Sequence, residues 1–227
     1  MAQFPVSPLA LAAGAALIMA TPATAAEDDL NAWAGQFVVV NLDDDKDWLV
    51  RGEAQERFTR DASRLGQLLL RMLVGHRLGE DVMIGAGYAY ILTDPVGPIR
   101  FDEHRFYQEL NLRLVNRNGV TLDSRTRLEQ RTFEQGDGIA WRARNFVQLR
   151  VPVSERTSLV AYTEPFVALN DTEFQRAGLA IWRNFAGVSV PLARGIEIVP
   201  GYLNQTVFRE GENRMDHVAN VNVFMNF

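Results

Sequence analysis

Carboxylates and guanidinium groups alternate through the middle of this sequence. Glu103, Arg105 and Glu109 stand at odd positions of one segment, and Arg125, Arg127, Glu129 and Arg131 at odd positions of the next. Paired carboxylates such as Glu103 and Glu109 are raw material for general acid–base chemistry, in which one group holds a proton and the other does not. An arginine within reach of each argues against that use, because a carboxylate committed to a guanidinium has no proton to give. The pattern suits a network of bidentate ion pairs better, for which the planar, weakly hydrated guanidinium is the favoured cation. The chain has 22 arginines and a single lysine, Lys46, a bias that genomic base composition would also produce.

A hairpin register gives these charges partners. If Asn116 to Asn118 is the centre of a turn, facing residues have numbers that sum to 234. Leu112 then faces Leu122, Glu103 faces Arg131, Arg105 faces Glu129 and Glu109 faces Arg125. Opposite charges across a strand pair are favourable neighbours. A hairpin centred near Ala62 sets Glu53 against Arg71, and the loop after the sixth segment brings Glu129 towards Arg144 and Asp123 towards Arg150.

The same register weighs on other chemistries. A lipid hydrolase would need a nucleophile and a base, and Ser124 and His104 are the candidates on adjacent segments. His104 would face Gln130, six residues from Ser124. At ~3.3 Å per residue that is about 20 Å, far beyond a nucleophile–base hydrogen bond. No Gly-x-Ser-x-Gly motif is present. His76, His104 and His217 lack metal-ligand spacing, and Asp43, Asp44, Asp45 and Asp47 lack the glycine and closing glutamate of a calcium loop. No catalytic residue, metal or cofactor is expected. With no cysteine there is no disulfide framework, and a net charge of −5 without a basic patch argues against nucleic acid.

The elements that must hold the charges are strands. Turn signals recur every ten to fifteen residues, among them Gly79-Glu80-Asp81, Asp94-Pro95 with Gly97-Pro98, Asn116 to Gly119, and Gly211-Glu212-Asn213. Eleven alternating segments lie between them, starting near Ala32, Trp48, Gly66, Val82, Glu103, Val120, Ala140, Thr157, Gln175, Ile196 and Asp216. In the second, Arg51, Glu53, Gln55 and Arg57 oppose Trp48, Val50, Gly52 and Ala54. In the fourth, Gly85, Gly87 and Ala89 share the charged side and leave room for long neighbours. In the seventh, Arg142, Arg144, Gln148 and Arg150 oppose Trp141, Ala143, Val147, Leu149 and Val151. The last segment sets Ala219, Val221, Val223, Met225 and Phe227 against Asn220, Asn222 and Asn226, with Phe224 the exception. An aromatic-ended strand suits the closing strand of a barrel, which must pair with the first to abolish the edge.

Leu9 to Ala20 is an apolar run too short to span a bilayer as a helix, followed by the small-x-small pattern Ala23-Thr24-Ala25. Residues 1–26 therefore read as an export signal and 27–227 as one domain. No later stretch of ~18 apolar residues exists, so membrane insertion would be by strands. A membrane barrel turns its apolar face to lipid and its charges to the lumen; a soluble lipocalin-like barrel does the reverse. Trp48, Trp141, Trp182, Tyr88 and Tyr90 fall towards segment ends, where an interfacial girdle would put them.

Glu53-x-Gln55-x-Arg57, Leu69-Leu70-Arg71, Gly87-Tyr88, Glu103-His104-Arg105, Arg125-x-Arg127-x-Glu129-x-Arg131, Glu164-x-Phe166, Arg183 and Gly201-Tyr202 together resemble the bacterial family catalogued as domain of unknown function 2490. The resemblance covers nearly all of the chain after the signal; Trp182 stands where the family pattern has asparagine before the arginine. It implies an outer-membrane barrel of Gram-negative bacteria with no established activity, substrate or cofactor, and it adds Glu164 and Arg183 to the charged set.

The expectation is an all-β, antiparallel up-and-down transmembrane barrel of ten or twelve strands, since single-chain barrels of this class have an even number. Its lumen is filled by Glu53, Arg57, Arg71, Glu103, Arg105, Glu109, Arg125, Arg127, Glu129, Arg131, Arg144, Glu164 and Arg183, and Phe227 closes it. Outer-membrane lipid and the outer-membrane assembly machinery are the expected partners, with a structural or small-solute role. A lipid-modifying enzyme and a periplasmic ligand-binding barrel are the alternatives.

Overall fold

Period-two alternation is carried through as eleven strands: β1 (Asp29–Asn41), β2 (Trp48–Thr59), β3 (Arg64–Arg77), β4 (Val82–Thr93), β5 (Phe101–Arg117), β6 (Val120–Phe133), β7 (Ala140–Pro152), β8 (Ser158–Ala168), β9 (Gly178–Ala193), β10 (Ile196–Val207) and β11 (Arg214–Asn226). The structure, a computed structural model, describes residues 29–94 and 100–227. The export signal expected over residues 1–26 and the turn expected at Pro95 to Pro98 lie outside the described residues.

The strands form one closed barrel, each neighbour in sequence also a neighbour in space. Every connection reverses the chain, so an eleven-strand meander ends in the direction in which it began. Closure of β11 on β1 is therefore parallel, with Asp29 opposite Asp216 and Val39 opposite Asn226. This corrects the expectation of ten or twelve antiparallel strands. The even number assumed an antiparallel seam, whereas a parallel ladder removes the free edges equally well. Phe227 extends the seam: its N–H donates to the Val39 carbonyl at 2.9 Å, and its own carbonyl accepts from the Asn41 N–H at 3.2 Å and Asn41 Nδ2 at 3.0 Å.

The β5–β6 register differs from expectation. Asn118 and Gly119 have positive φ, 52° and 78°, and form a two-residue turn that sets Arg117 opposite Val120. Two successive left-handed residues are the mark of a type I′ hairpin. An irregularity between Arg113 and Val115 then shifts the ladder, so Glu109 faces Arg127, Asn111 faces Arg125, Arg105 faces Arg131 and Leu112 faces Ser124. The slip from the expected pairing is two residues. An even slip keeps every side chain on its face and changes only its partner. In the β6–β7 ladder Asp123 faces Gln148 rather than approaching Arg150. Glu53 does face Arg71.

Charges point inward and large apolar side chains point out. Glu129 is 0% and Arg127 1% exposed, while Met72 and Phe106 on the outer face are each 60% exposed. Two apolar clusters share the interior. Leu49, Leu69, Leu73, Ala89, Ile91 and Tyr107 line the β2–β5 wall, and Trp33, Val160, Phe185, Val199, Leu203 and Val218 line the opposite one. A Cβ on Gly87 would meet the Tyr107 ring and the Met72 carbonyl at 2.5 Å, so only glycine lets that ring lie against β4. Phe224, the apolar exception on β11, turns inward and stacks on Phe37 with ring centroids 4.6 Å apart.

The seam yields a test. Deleting Phe227 removes three hydrogen bonds between β11 and β1, whereas Glu212→Ala alters an exposed connection. The deletion should lower the yield of protease-resistant barrel well below that of Glu212→Ala when the two are refolded side by side. Equal yields would show that the seam does not need Phe227.

Candidate functional site

The site is the lumen, because the inward faces of β2, β5, β6 and β7 carry long charged side chains at alternate positions. Five glutamates anchor it. Glu109 on β5 accepts from Arg51 Nη2 at 2.6 Å and Arg127 Nε at 2.8 Å, and Asn111 completes its shell. Glu129 on β6 takes Arg142 Nε at 2.8 Å and Arg144 Nη1 at 3.2 Å, with Arg127 Nη1 3.9 Å away. Glu164 on β8 takes Arg144 Nη2 at 2.7 Å and Arg125 Nη2 at 3.1 Å. Glu103 binds Arg105 through both oxygens, at 2.5 and 2.8 Å, and also Arg131 Nε at 2.5 Å. Glu53 is bound by Arg71 and by Gln55.

The observed register sets like charges opposite one another, Arg105 to Arg131 and Arg127 to Arg144. Such facing pairs are unfavourable unless a counter-charge bridges them. Here Glu103 bridges the first pair and Glu129 the second. The network thus runs diagonally between strands. That explains how Glu103 still binds Arg131, and Glu129 still binds Arg144, when neither faces its partner.

Of the residues expected inside, Glu53, Arg57, Arg71, Glu103, Arg105, Glu109, Arg127, Glu129, Arg144, Glu164 and Arg183 are buried, and Arg125 and Arg131 are half-buried. The expected contacts of Arg105 with Glu129 and of Glu109 with Arg125 are replaced by Glu103 with Arg105 and Glu109 with Arg127. Sequence reasoning left out Arg51 and Arg142, although alternation had put both on the charged face. Arg150, expected near Asp123, instead clasps Glu197 with two hydrogen bonds of 2.9 Å, a contact that needs the β7-to-β10 geometry. The aromatic lining was missed as well. Arg57 lies 4.0 Å over the Trp33 ring, Arg127 4.3 Å over Tyr107 and Arg144 4.5 Å over Phe166. These are cation–π distances.

The two ends of the barrel differ. Connections 42–47, 78–81, 118–119, 153–157 and 194–195 share one end; the longer 94–100, 134–139, 169–177 and 208–213 share the other with 60–63. At the longer end Phe174 stacks on inward-facing Phe133 at 4.2 Å, and Gln175 accepts from Arg131 Nη1 at 3.1 Å, so connection 169–177 folds over the lumen. At the shorter end a cavity of about 440 Å³ reaches Gly79, Glu80 and Asp81. A second, of about 320 Å³, lies deeper; Val39, Arg51, Arg125, Phe146 and Gln148 line both.

The outer face holds the remaining candidates. His104 faces Thr132 and Ser124 faces Leu112, eight residues along the ladder. At ~3.3 Å per residue that is roughly 26 Å, so these two form no dyad. His104 instead hydrogen-bonds Tyr88 through Nδ1 at 2.6 Å, and Tyr202 and His217 repeat the arrangement at 2.5 Å.

Two comparisons bear on the chain. Residues 30–216 match a family described as "Protein of unknown function (DUF2490)". An uncharacterised protein of Methylorubrum extorquens is 33% identical over 180 residues, covering 77% of this chain and 79% of the relative.

The network predicts an asymmetry in stability. Removing one charge from a buried pair strands the other and costs ~3–5 kcal/mol, whereas exposed pairs contribute about 0–1. Glu109→Gln, which strands Arg51 and leaves Arg127 only its 3.9 Å contact with Glu129, should lower the unfolding free energy by about that larger amount. Arg176→Ala, which breaks an exposed pair with Glu210, should leave the melting midpoint unchanged. Denaturant unfolding of both variants checks it; a Glu109→Gln protein as stable as the parent would mean that the lumen charges are solvated.

Proposed function

The chain belongs to the DUF2490 family, and we propose that it is a Gram-negative outer-membrane barrel whose charge-filled lumen serves a small solute rather than catalysis. The observation that carries the reading is the inversion of polarity. Buried Arg/Glu pairs fill the interior, while Leu70, Met72 and Val74 on β3, Ile84 on β4, and Phe106 and Leu110 on β5 stand exposed on the outer face of three successive strands. Soluble monomers rarely expose contiguous apolar patches beyond a few hundred Å². A bilayer makes the same surface favourable, and a closed barrel satisfies every backbone group within it. A periplasmic lipocalin-like barrel would need the opposite arrangement.

Further features support the proposal. Outward-facing Trp141 and Trp182 lie towards the end with the longer connections and Trp48 at the opposite end, where interfacial belts would sit. In bacterial barrels the short turns face the periplasm and the long loops face outward, which sets the orientation we propose. Residues 1–26 would supply export. The role is not that of an open pore, because connection 169–177 and the Glu103 and Glu129 clusters fill the longer end.

Fractionation of cells expressing the full chain tests this. The protein should sediment with the outer membrane, resist alkaline extraction and dissolve only with detergent. Recovery as a soluble periplasmic protein would overturn the membrane reading.

A further inference from the structure

Two buried cations in this lumen have no carboxylate in direct contact. Arg57 on β2 and Arg183 on β9 are 9% and 8% exposed, and among the described residues neither has a carboxylate oxygen within 4.0 Å. Their polar partners are neutral amides: Gln67 and Gln55 for Arg57, and Gln205 for Arg183. Both guanidinium groups lie over the same indole, 4.0 and 5.0 Å from the Trp33 ring centre. Arg57 Nε has no hydrogen-bond acceptor, and neither does Arg71 Nε on the same cavity wall. Like charges held together away from bulk water are costly. Neither closes an ion pair of the barrel's own network: the five glutamates are shared among eight other arginines, and Glu164, which faces Arg183 across the β8–β9 ladder, bonds Arg144 and Arg125 instead.

The cavity of about 320 Å³ lies against both. One side of it carries seven arginines and three glutamates, Glu53, Glu164 and Glu197, and so keeps an excess of positive charge. The other is apolar and aromatic, formed by Val160, Tyr162, Phe185, Val199, Leu203 and Phe224. That volume falls at the small end of the range for sites that bury an organic ligand. It communicates with the larger cavity at the short-connection end through the shared Arg51, Arg125 and Phe146.

We propose that this cavity is a binding site for a small amphipathic carboxylate, an aryl or short alkyl acid. The acid group is held by Arg57 and Arg183, and the apolar body lies on the Phe185–Leu203 wall. A guanidinium pair matches the two oxygens of a carboxylate. The aromatic wall then excludes inorganic anions as the preferred occupant, because they would leave that surface empty. Entry is from the short-connection end. Only the side of the membrane from which the ligand enters rests on the outer-membrane reading, so failed fractionation and failed binding are separate outcomes.

The test is calorimetric titration of the full-length barrel in detergent micelles, or in buffer alone if it fractionates as a soluble protein, against a protein-free blank. The probes are 2-naphthoate, the uncharged 2-naphthamide and acetate. The expected result is saturable binding of 2-naphthoate, at least tenfold weaker binding of 2-naphthamide and acetate, and at least tenfold weaker 2-naphthoate binding by Arg57→Gln and Arg183→Gln. Neither variant breaks a direct ion pair, so both should still give a protease-resistant barrel that melts cooperatively, which separates lost binding from lost fold. Equal binding of naphthoate and naphthamide would overturn the cationic assignment. Binding of acetate as tight as naphthoate would overturn the amphipathic one. Unchanged affinity in both folded variants, or no binding of naphthoate at all, would overturn the site.

Discussion

A carboxylate buried without a partner costs several kcal/mol, and this barrel buries five glutamates inside a closed cylinder. That constraint explains much of the rest. Each glutamate needs guanidinium groups from its own and neighbouring strands, so the network ties β2 to β3 and β5, β5 to β6, and β6 to β7 and β8. Planar arginines stack on Trp33, Tyr107 and Phe166 while they bond sideways, which lets charge and aromatic surface share a narrow space. Glycine at position 87 is part of the same economy of space: it admits the ring over which Arg127 lies.

Filling the interior with charge leaves many large apolar side chains on the outside, and on the proposed reading that surface meets lipid. Closure is the condition a bilayer sets, because an open edge could not be tolerated there. Eleven strands meet the condition through a parallel seam. The seam is narrow in chemical terms: β11 brings Asn220 and Asn222 to the interior and Val221 and Val223 to the exterior, so alternation continues unbroken across it.

Much of this was legible in the amino-acid order. Alternation alone placed Glu53, Arg71, Glu129 and Arg144 on one face, and turn residues marked eleven segments. Two things were not legible. The strand number was drawn away from eleven by a rule about antiparallel closure, and no local pattern reveals that β1 and β11 run parallel. Partner choice between β5 and β6 depended on two residues of register, set by the Asn118-Gly119 turn and an irregularity near Arg113, while hydrophobic matching of Leu112 with Leu122 pointed elsewhere. The pair Arg57 and Arg183 also lay beyond the sequence, since their approach requires β2 and β9 to meet across the lumen over Trp33.

The central claim is that lipid, not water, surrounds the barrel, and the absence of cysteine makes it directly measurable. Single cysteines introduced at outward-facing Leu70 and Leu110, and at Glu212 in an exposed connection, can each carry an environment-sensitive fluorophore in reconstituted vesicles. Replacing the lipid with its chain-brominated form should quench the probes at Leu70 and Leu110 strongly and leave Glu212 nearly unaffected. Emission at Leu70 and Leu110 that is indifferent to bromination, together with labelling by an impermeant maleimide as fast as at Glu212, would contradict the account.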